Sequence, residues 1–267
     1  MKPAPFGYVA PSTIAAALGA LGEDAKPLAG GQSLVPLLNF RLARPETLVD
    51  LNGIAELAYL RRSDGTLRIG ALTRQVTIER SAVVAEGWPL LAQAVRHVAH
   101  PAIRNRGTIG GSVAHADPAA ELPVALTALD ARYHVRSAAR GTRTIAAADL
   151  FLAPLMTALE PDELLVEIEV PPPPAGARSA FVEHARTHGD FAVAGAAVVR
   201  AGREHAAVAL LGAGPTPVRA PDAEHALRHG ASAAEAAAIA GAGLDDDYRR
   251  ALTTELVRRA LEEAQAG

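Results

Sequence analysis

The sequence predicts an α+β protein built from three consecutive parts, and three observations carry that reading. A strand, a Gly-Gly loop, a helix and a second strand follow one another within residues 1–55, a compact α/β unit. Hairpin-like strands and helices then share residues 56–170. Four prolines, Pro171–Pro174, separate these from two alternating strands and two helices in residues 175–267. Such a run is a stiff, extended connector that donates no backbone hydrogen bond, so it marks the clearest boundary in the chain.

In chain order, Ser12–Leu21 reads as a short helix following Pro11, with Ser12 as its N-cap. Lys26–Ala29 is a short strand leading into Gly30-Gly31-Gln32-Ser33. The apolar stretch Leu34–Leu42 is helical, and Thr47–Leu51 is a strand. In the second part the turn signal Asp64-Gly65 precedes a strand at Leu67–Gly70. Leu90–Ala99 is a helix that ends before Pro101. A second glycine-rich loop, Thr108–Ser112, precedes the helix Ala119–Leu129, and strands at Arg132–Arg136 and Leu165–Val170 close this part. Beyond the prolines, Ala192–Arg200 and His205–Leu211 alternate as strands. The helices Ala231–Ala242 and Tyr248–Gln265 follow, the second with Leu252, Leu256, Val257, Ala260 and Leu261 on one face.

Composition narrows the function. A chain of 267 residues can hold one large domain or two to three modest ones. With 49% apolar and 21% charged residues it has the profile of a soluble globular protein. A net charge of -3 with interspersed signs argues against a nucleic-acid binder, and the pairs Arg61-Arg62 and Arg258-Arg259 read as solvated surface. No apolar run reaches bilayer length, and Met1–Pro5 is too proline-rich for a secretory signal, so a cytoplasmic location is expected. The absence of cysteine excludes disulfides, thiolate nucleophiles and cysteine-ligated iron–sulfur clusters on this chain. Electron chemistry here would require an organic cofactor, and any cluster would belong to a partner.

The two glycine pairs are the chemical features. Glycine lets the backbone curl and present several N–H groups to one anion, and a following helix favours a phosphate. Gly30-Gly31-Gln32-Ser33 before Leu34 fits that use, as does Thr108-Ile109-Gly110-Gly111-Ser112 with a hydroxyl at each end. Both are equally compatible with tight turns, and spacing alone does not specify the ligand. Other motifs fail. No Gly-Lys-Ser/Thr occurs, which excludes a P-loop. Leu211–Pro217 has prolines where a dinucleotide fingerprint opens its helix, so it reads as a turn after a strand. Gly110–Ala114 lacks the last glycine of a nucleophile elbow. His97, His100, His115 and Asp117 lack the pairing of a helical zinc motif, so no metal site is assigned.

At these loops the sequence resembles a family. Leu28–Leu37 with Arg41–Pro45, and above all the extended block Ile103–Pro118 continued by Glu121-Leu122-Pro123, is similar to the FAD-binding medium subunit of molybdenum hydroxylases. Carbon monoxide dehydrogenase of aerobic bacteria and xanthine dehydrogenase belong to this group. Pro161–Leu165, Gly189–Ala192, Gly212–Arg219 and Tyr248–Leu252 carry the resemblance along the rest of the chain. It implies an FAD-binding domain of the PCMH/vanillyl-alcohol-oxidase type, formed by subdomains at 1–55 and 56–170. A C-terminal domain of the carbon monoxide dehydrogenase flavoprotein type would occupy 175–267.

By this resemblance Ala29, Gly30, Gly31, Gln32, Ser33 and Leu34, with Thr108, Ile109, Gly110, Gly111 and Ser112, would hold the FAD diphosphate through backbone N–H groups. Glu121 would contact ribityl or ribose hydroxyls, with Asp117 as a neighbouring candidate, and Leu164 or Leu165 would pack near the isoalloxazine. Read without the family, Glu121 is an ordinary first-turn helix carboxylate. The resemblance further implies a large subunit with the molybdenum cofactor and a small subunit with [2Fe–2S] clusters, in a dimer of heterotrimers. That assembly could associate with the inner face of the membrane. FAD would pass electrons to NAD, oxygen or a quinone, and no acid/base residue is assigned. Two departures stand out: Val182 replaces the lysine of xanthine-type relatives, and Asp245–Asp247 runs directly into Tyr248 without a longer polar segment. A self-sufficient flavoenzyme and a non-catalytic nucleotide-binding or assembly module are the competing readings. A proton donor beside the flavin would favour the first, and colourless protein that takes up no FAD the second.

Overall fold

The structure, a computed structural model, describes residues 2–266. Its first part contains β1 (Gly7–Val9), α1 (Ile14–Gly19), β2 (Ala25–Leu28), α2 (Leu34–Asn39) and β3 (Thr47–Asp50). The strands form a parallel sheet in the order β1-β3-β2. The cap of α1 lies one residue later than expected: the Thr13 hydroxyl, not that of Ser12, accepts from the Ala16 amide at 3.2 Å. α2 stops at Asn39, short of Leu42, because Arg41 takes a left-handed φ of 57°. The Leu42 and Arg41 amides then donate back to the Leu37 and Leu38 carbonyls, at 2.9 and 3.0 Å. This is a Schellman termination with arginine where glycine is usual.

The second part runs through β4 (Leu60–Ser63), β5 (Thr66–Gly70), α3 (Gln75–Arg80), α4 (Ala82–Gly87), α5 (Pro89–His97), α6 (Pro101–Arg104), α7 (Ile109–His115) and α8 (Glu121–Ala128). It continues with β6 (Arg132–Ser137), β7 (Gly141–Ala146), α9 (Ala147–Leu150), β8 (Phe151–Ala153), β9 (Met156–Thr157) and β10 (Glu163–Val170). Five strands pair antiparallel in the order β4-β5-β10-β6-β7. Asp64 and Gly65, at φ 51° and 79°, make the tight turn between β4 and β5.

After the prolines come β11 (Arg178–Ala185), β12 (Ala192–Ala201), β13 (His205–Leu211), β14 (Val218–Arg219), α10 (Pro221–Arg228), α11 (Ala233–Gly241) and α12 (Asp247–Ala266). The four strands form an antiparallel sheet in sequence order. Ser232 and Glu235 close a capping box at the start of α11.

The packing explains the apolar runs in β12 and β13. Ala197, Val199, Ala207, Ala209 and Leu211 join the large core formed with α5, α8 and the five-stranded sheet. Their alternating neighbours Ala196, Val198, Ala206, Val208 and Leu210 face α10, α11 and α12. Both faces of this sheet are therefore buried, and the large core runs across the proline connector. Trp88, fully buried, anchors that connector by donating from Nε1 to the Pro171 carbonyl at 2.8 Å.

Candidate functional site

The two glycine segments meet. β2 delivers Ala29–Ser33 to the side of the Arg106-Gly107 peptide, and contact there requires glycine. A Cβ on Gly30 would fall 2.4 Å from the Arg106 carbonyl oxygen, and one on Gly111 3.7 Å from the Ala29 Cβ. Gly31 has a left-handed φ of 74°, a conformation that glycine adopts without a Cβ clash. The amides of Gly30, Gly31, Gln32, Ser33 and Leu34 have no acceptor among the described residues, while Gln32 Nε2 donates to the Gly30 carbonyl at 2.9 Å. A run of open amides on a curled backbone is an anion nest.

The second segment is built differently from the loop expected. Thr108 is an N-cap, its Oγ1 accepting from the Gly111 amide at 3.1 Å, and Ile109–Ser112 form the first turn of α7. Its amides are engaged inside the protein: Ile109 donates to Thr73, Gly110 to Ala71 and Ser112 to Thr108. Gly110 is required for close packing, since a Cβ there would lie 2.6 Å from the Ala71 Cβ. The amides of Ile109–Ser112 thus all have acceptors within the protein. This segment offers close approach and the Thr108 and Ser112 hydroxyls, whereas the first offers free N–H groups.

Both segments open onto a cleft of about 670 Å³, within the size range of small-molecule and cofactor sites. All of the residues expected at the site line it except Ile109, which is fully buried in the large core. Leu164 and Leu165 come from β10 beside a bulge between Leu165 and Glu167, one packing into the N-terminal core and the other into the large core. The sequence gives no signal for Gln75, which also lines the cleft, is only 5% exposed and has an Oε1 with no partner. Phe191 stands 71% exposed on the rim. It lies within the family-like Gly189–Ala192 segment, the one signal that could have pointed to it. Opposite segments carry left-handed Ala99 and Leu155, at φ 41° and 59°. Such strain in non-glycine residues tends to collect at functional sites.

Glu121 is the buried acid of the cleft, at 7% exposure. Burial pushes its carboxyl up to about 7, with the charges of Glu183 and Asp117 adding and that of His97 opposing. His97 Nδ1 lies 3.2 Å from Glu183 Oε1, a contact that raises the imidazole pKa against desolvation. Burial lowers that of His115. Among the described residues, the group with metal-ligand geometry is His134, Glu167 and Glu169, none of which lines the cleft. Arg68 holds both carboxylates, at 2.6 and 3.3 Å, which makes this an ion-pair network on the five-stranded sheet.

Comparison with known proteins decides the family. Residues 4–173 match the model of the FAD binding domain in molybdopterin dehydrogenase. The chain belongs to this family. The matched span contains both glycine segments, Glu121 and the Leu164-Leu165 pair. The chain is 47% identical to the 6-hydroxypseudooxynicotine dehydrogenase complex subunit alpha of Paenarthrobacter nicotinovorans, over 84% of this chain and 78% of that one. It is 39% identical to the carbon monoxide dehydrogenase medium chain of Hydrogenophaga pseudoflava, over 100% and 99% of the two chains. A solved structure of carbon monoxide dehydrogenase from Hydrogenophaga pseudoflava, lacking the Mo-pyranopterin moiety, superposes with a TM-score of 0.93 at 40% identity. That match covers 100% of this chain and 99% of the other. The α+β architecture, the FAD cofactor and the standing of the chain as an oxidoreductase subunit follow from this membership.

Proposed function

We propose that the cleft between the two glycine segments holds FAD, and that the chain relays electrons from the [2Fe–2S] clusters of a small partner subunit to an external acceptor. The observation that carries this reading is the junction of the open-amide nest at Gly30–Leu34 with the capped turn at Thr108–Ser112. Two backbones brought into contact at Gly30 and Arg106-Gly107, with free N–H donors beside them, suit a diphosphate. Glu121 suits a hydroxyl partner because its carboxyl can stay protonated and donate, or ionise and accept. Leu164 and Leu165 supply an apolar wall suited to a planar ring. When bound, FAD accepts and releases electrons singly or in pairs. The chain's own residues bind it, orient it and limit access to it, and none is assigned to proton transfer with an organic substrate.

Substrate oxidation then falls to a partner carrying the molybdenum cofactor, in line with the multisubunit relatives named as a medium chain and a complex subunit. A dimer of heterotrimers in the cytoplasm is the assembly this reading favours. No helix of the described residues is long and apolar enough to cross a membrane. The test is co-expression with the neighbouring subunits. Substrate should bleach the flavin absorbance in the assembled complex and leave the isolated, FAD-loaded chain unchanged. Turnover of substrate by the isolated chain would overturn the proposal.

A further inference from the structure

Behind the two glycine segments, outside the cleft lining, lies a side-chain bridge that neither motif contains. Asn52 Nδ2 donates to the Ala29 carbonyl at 2.9 Å, and Arg74 Nη2 donates to Asn52 Oδ1 at 2.7 Å. The other guanidinium nitrogen, Nη1, donates to the Arg106 carbonyl. Ala29 and Arg106 immediately precede Gly30 and Gly107, the two residues in closest approach. One arginine therefore spans both halves of the site, while its backbone pairs with Thr108.

Peptide planarity gives the bridge a consequence. In a trans peptide the C=O of one residue and the N–H of the next point in opposite directions. Asn52, by holding the Ala29 carbonyl, turns the Gly30 N–H the other way. Gln32, holding the Gly30 carbonyl, does the same for Gly31. Both amides are among those left without an acceptor. The charge of Arg74 is also unmatched. It is half-buried and makes no ion pair among the described residues, and both its partners are neutral. Burial and the like charge of Arg106 both disfavour its protonated form, opposed by Asp50. That carboxylate is itself engaged by the Tyr8 hydroxyl and by Asn52. A half-buried guanidinium facing a second arginine and one occupied carboxylate calls for an anion nearby.

We infer that Asn52 and Arg74 are positioning residues for the FAD diphosphate: Asn52 fixes the direction of the Gly30 amide, and Arg74 ties the two segments together and supplies positive charge from behind them. The inference rests on the reading of the cleft as the FAD site. It makes geometry and charge separable, because Asn52 contributes only the first.

The experiment titrates the full chain, freed of cofactor, with FAD and with riboflavin, which lacks the diphosphate. Binding is read by flavin fluorescence at low and high ionic strength, and folding by thermal melts. FAD affinity of the unaltered chain should fall with salt. Arg74→Gln should weaken FAD about tenfold at low salt, flatten the salt dependence and leave riboflavin unchanged. Asn52→Ala should weaken FAD with the salt dependence intact. Arg74→Lys, which keeps the charge and loses the two-pronged contact, should behave like Asn52→Ala. Unchanged FAD affinity in Arg74→Gln, or equal losses for FAD and riboflavin, would overturn the inference while leaving the cofactor reading in place. Should Arg74→Gln fail to fold, Arg74→Lys decides, and FAD binding equal to that of the unaltered chain refutes the bridge. If the unaltered chain does not take up FAD at all, the cofactor reading fails first and the inference with it.

Discussion

Gly30 and Gly107 stand backbone to backbone, so that a Cβ on Gly30 would fall 2.8 Å from the Gly107 Cα. Neither side can relieve such a contact by rotating a side chain, and the two halves of the site must separate to admit even a methyl group. Overpacking of this kind costs about 1–3 kcal/mol. If that falls on the joined state of the loops, Gly30→Ala weakens FAD binding about five- to 150-fold. Gly87→Ala is the control, since a Cβ there meets nothing within 4 Å. Equal FAD affinity in the two variants, by fluorescence titration, would show that the loops need not touch.

Gly110 has a different reason to be glycine. A Cβ there would strike the Ala71 Cβ and carbonyl oxygen, both at 2.6 Å, and Ala71 accepts from the Gly110 amide at 2.9 Å. Gly110→Ala should therefore lower the stability of the cofactor-free chain by about 1–3 kcal/mol in urea unfolding. Adding Ala71→Gly should restore only part of the loss, because the carbonyl oxygen remains in place. Full restoration would mean that the methyl contact alone matters.

These two glycines show what was legible in the sequence and what was not. The extended motif around Thr108–Pro118 supplies residues that line the cleft, and the alternation in Ala192–Arg200 and His205–Leu211 gave two strands within a residue of their ends. Yet Gly110-Gly111 read as a loop, because the reason for glycine is Ala71, distant in sequence. The cap that turns the segment into a helix is a single threonine hydroxyl. β1 escaped notice because its three residues are all exposed and carry no burial pattern. β7 has only Ile145 buried, and β11 mixes Ser179 and Glu183 with apolar neighbours. Gln75, Asn52 and Arg74 were invisible for a plainer reason: lone polar residues acquire a role only when the fold brings the two loops beside them.

Glu121 makes stability depend on pH. Its carboxyl is raised in the folded chain from an ordinary 4.5 to about 7, chiefly by burial, so the folded state holds a proton that the unfolded state releases between those values. Stability then falls as pH rises from 4.5 to 7, by at most about 3 kcal/mol, and stays at the lower level above. His97, raised by Glu183, acts in the same direction, since its contribution is present below 6.5 and lost as pH rises through its folded value. Glu121→Gln should flatten the carboxyl part of the slope and raise the melting temperature at pH above 7. An unaltered slope in the cofactor-free variant would mean that Glu121 is ionised throughout.

Arg219 joins the C-terminal sheet to the helix that carries Glu121. It grips Glu224 through Nε and Nη2 at 2.7 and 2.9 Å, and its Nη1 reaches the Thr127 carbonyl of α8 at 3.2 Å and Asp130 at 2.6 Å. The two acids differ in exposure: the Glu224 side chain is 8% exposed and that of Asp130 is 61%. Arg219→Ala would leave Glu224 with only the Val208 amide as donor among the described residues, an almost unpaired charge in a buried place. Breaking a buried pair this way costs about 3 kcal/mol, the low end of the usual range because Arg219 itself is partly exposed. Asp130→Ala removes a solvated partner and should cost less than about 1 kcal/mol. Replacing Arg219 and Glu224 together with Met and Leu should recover most of the loss, since it removes the stranded carboxylate along with its partner. Urea unfolding of the four proteins tests the ordering, and equal losses in Arg219→Ala and Asp130→Ala would place the energy of this contact at the solvent-exposed end of the arginine.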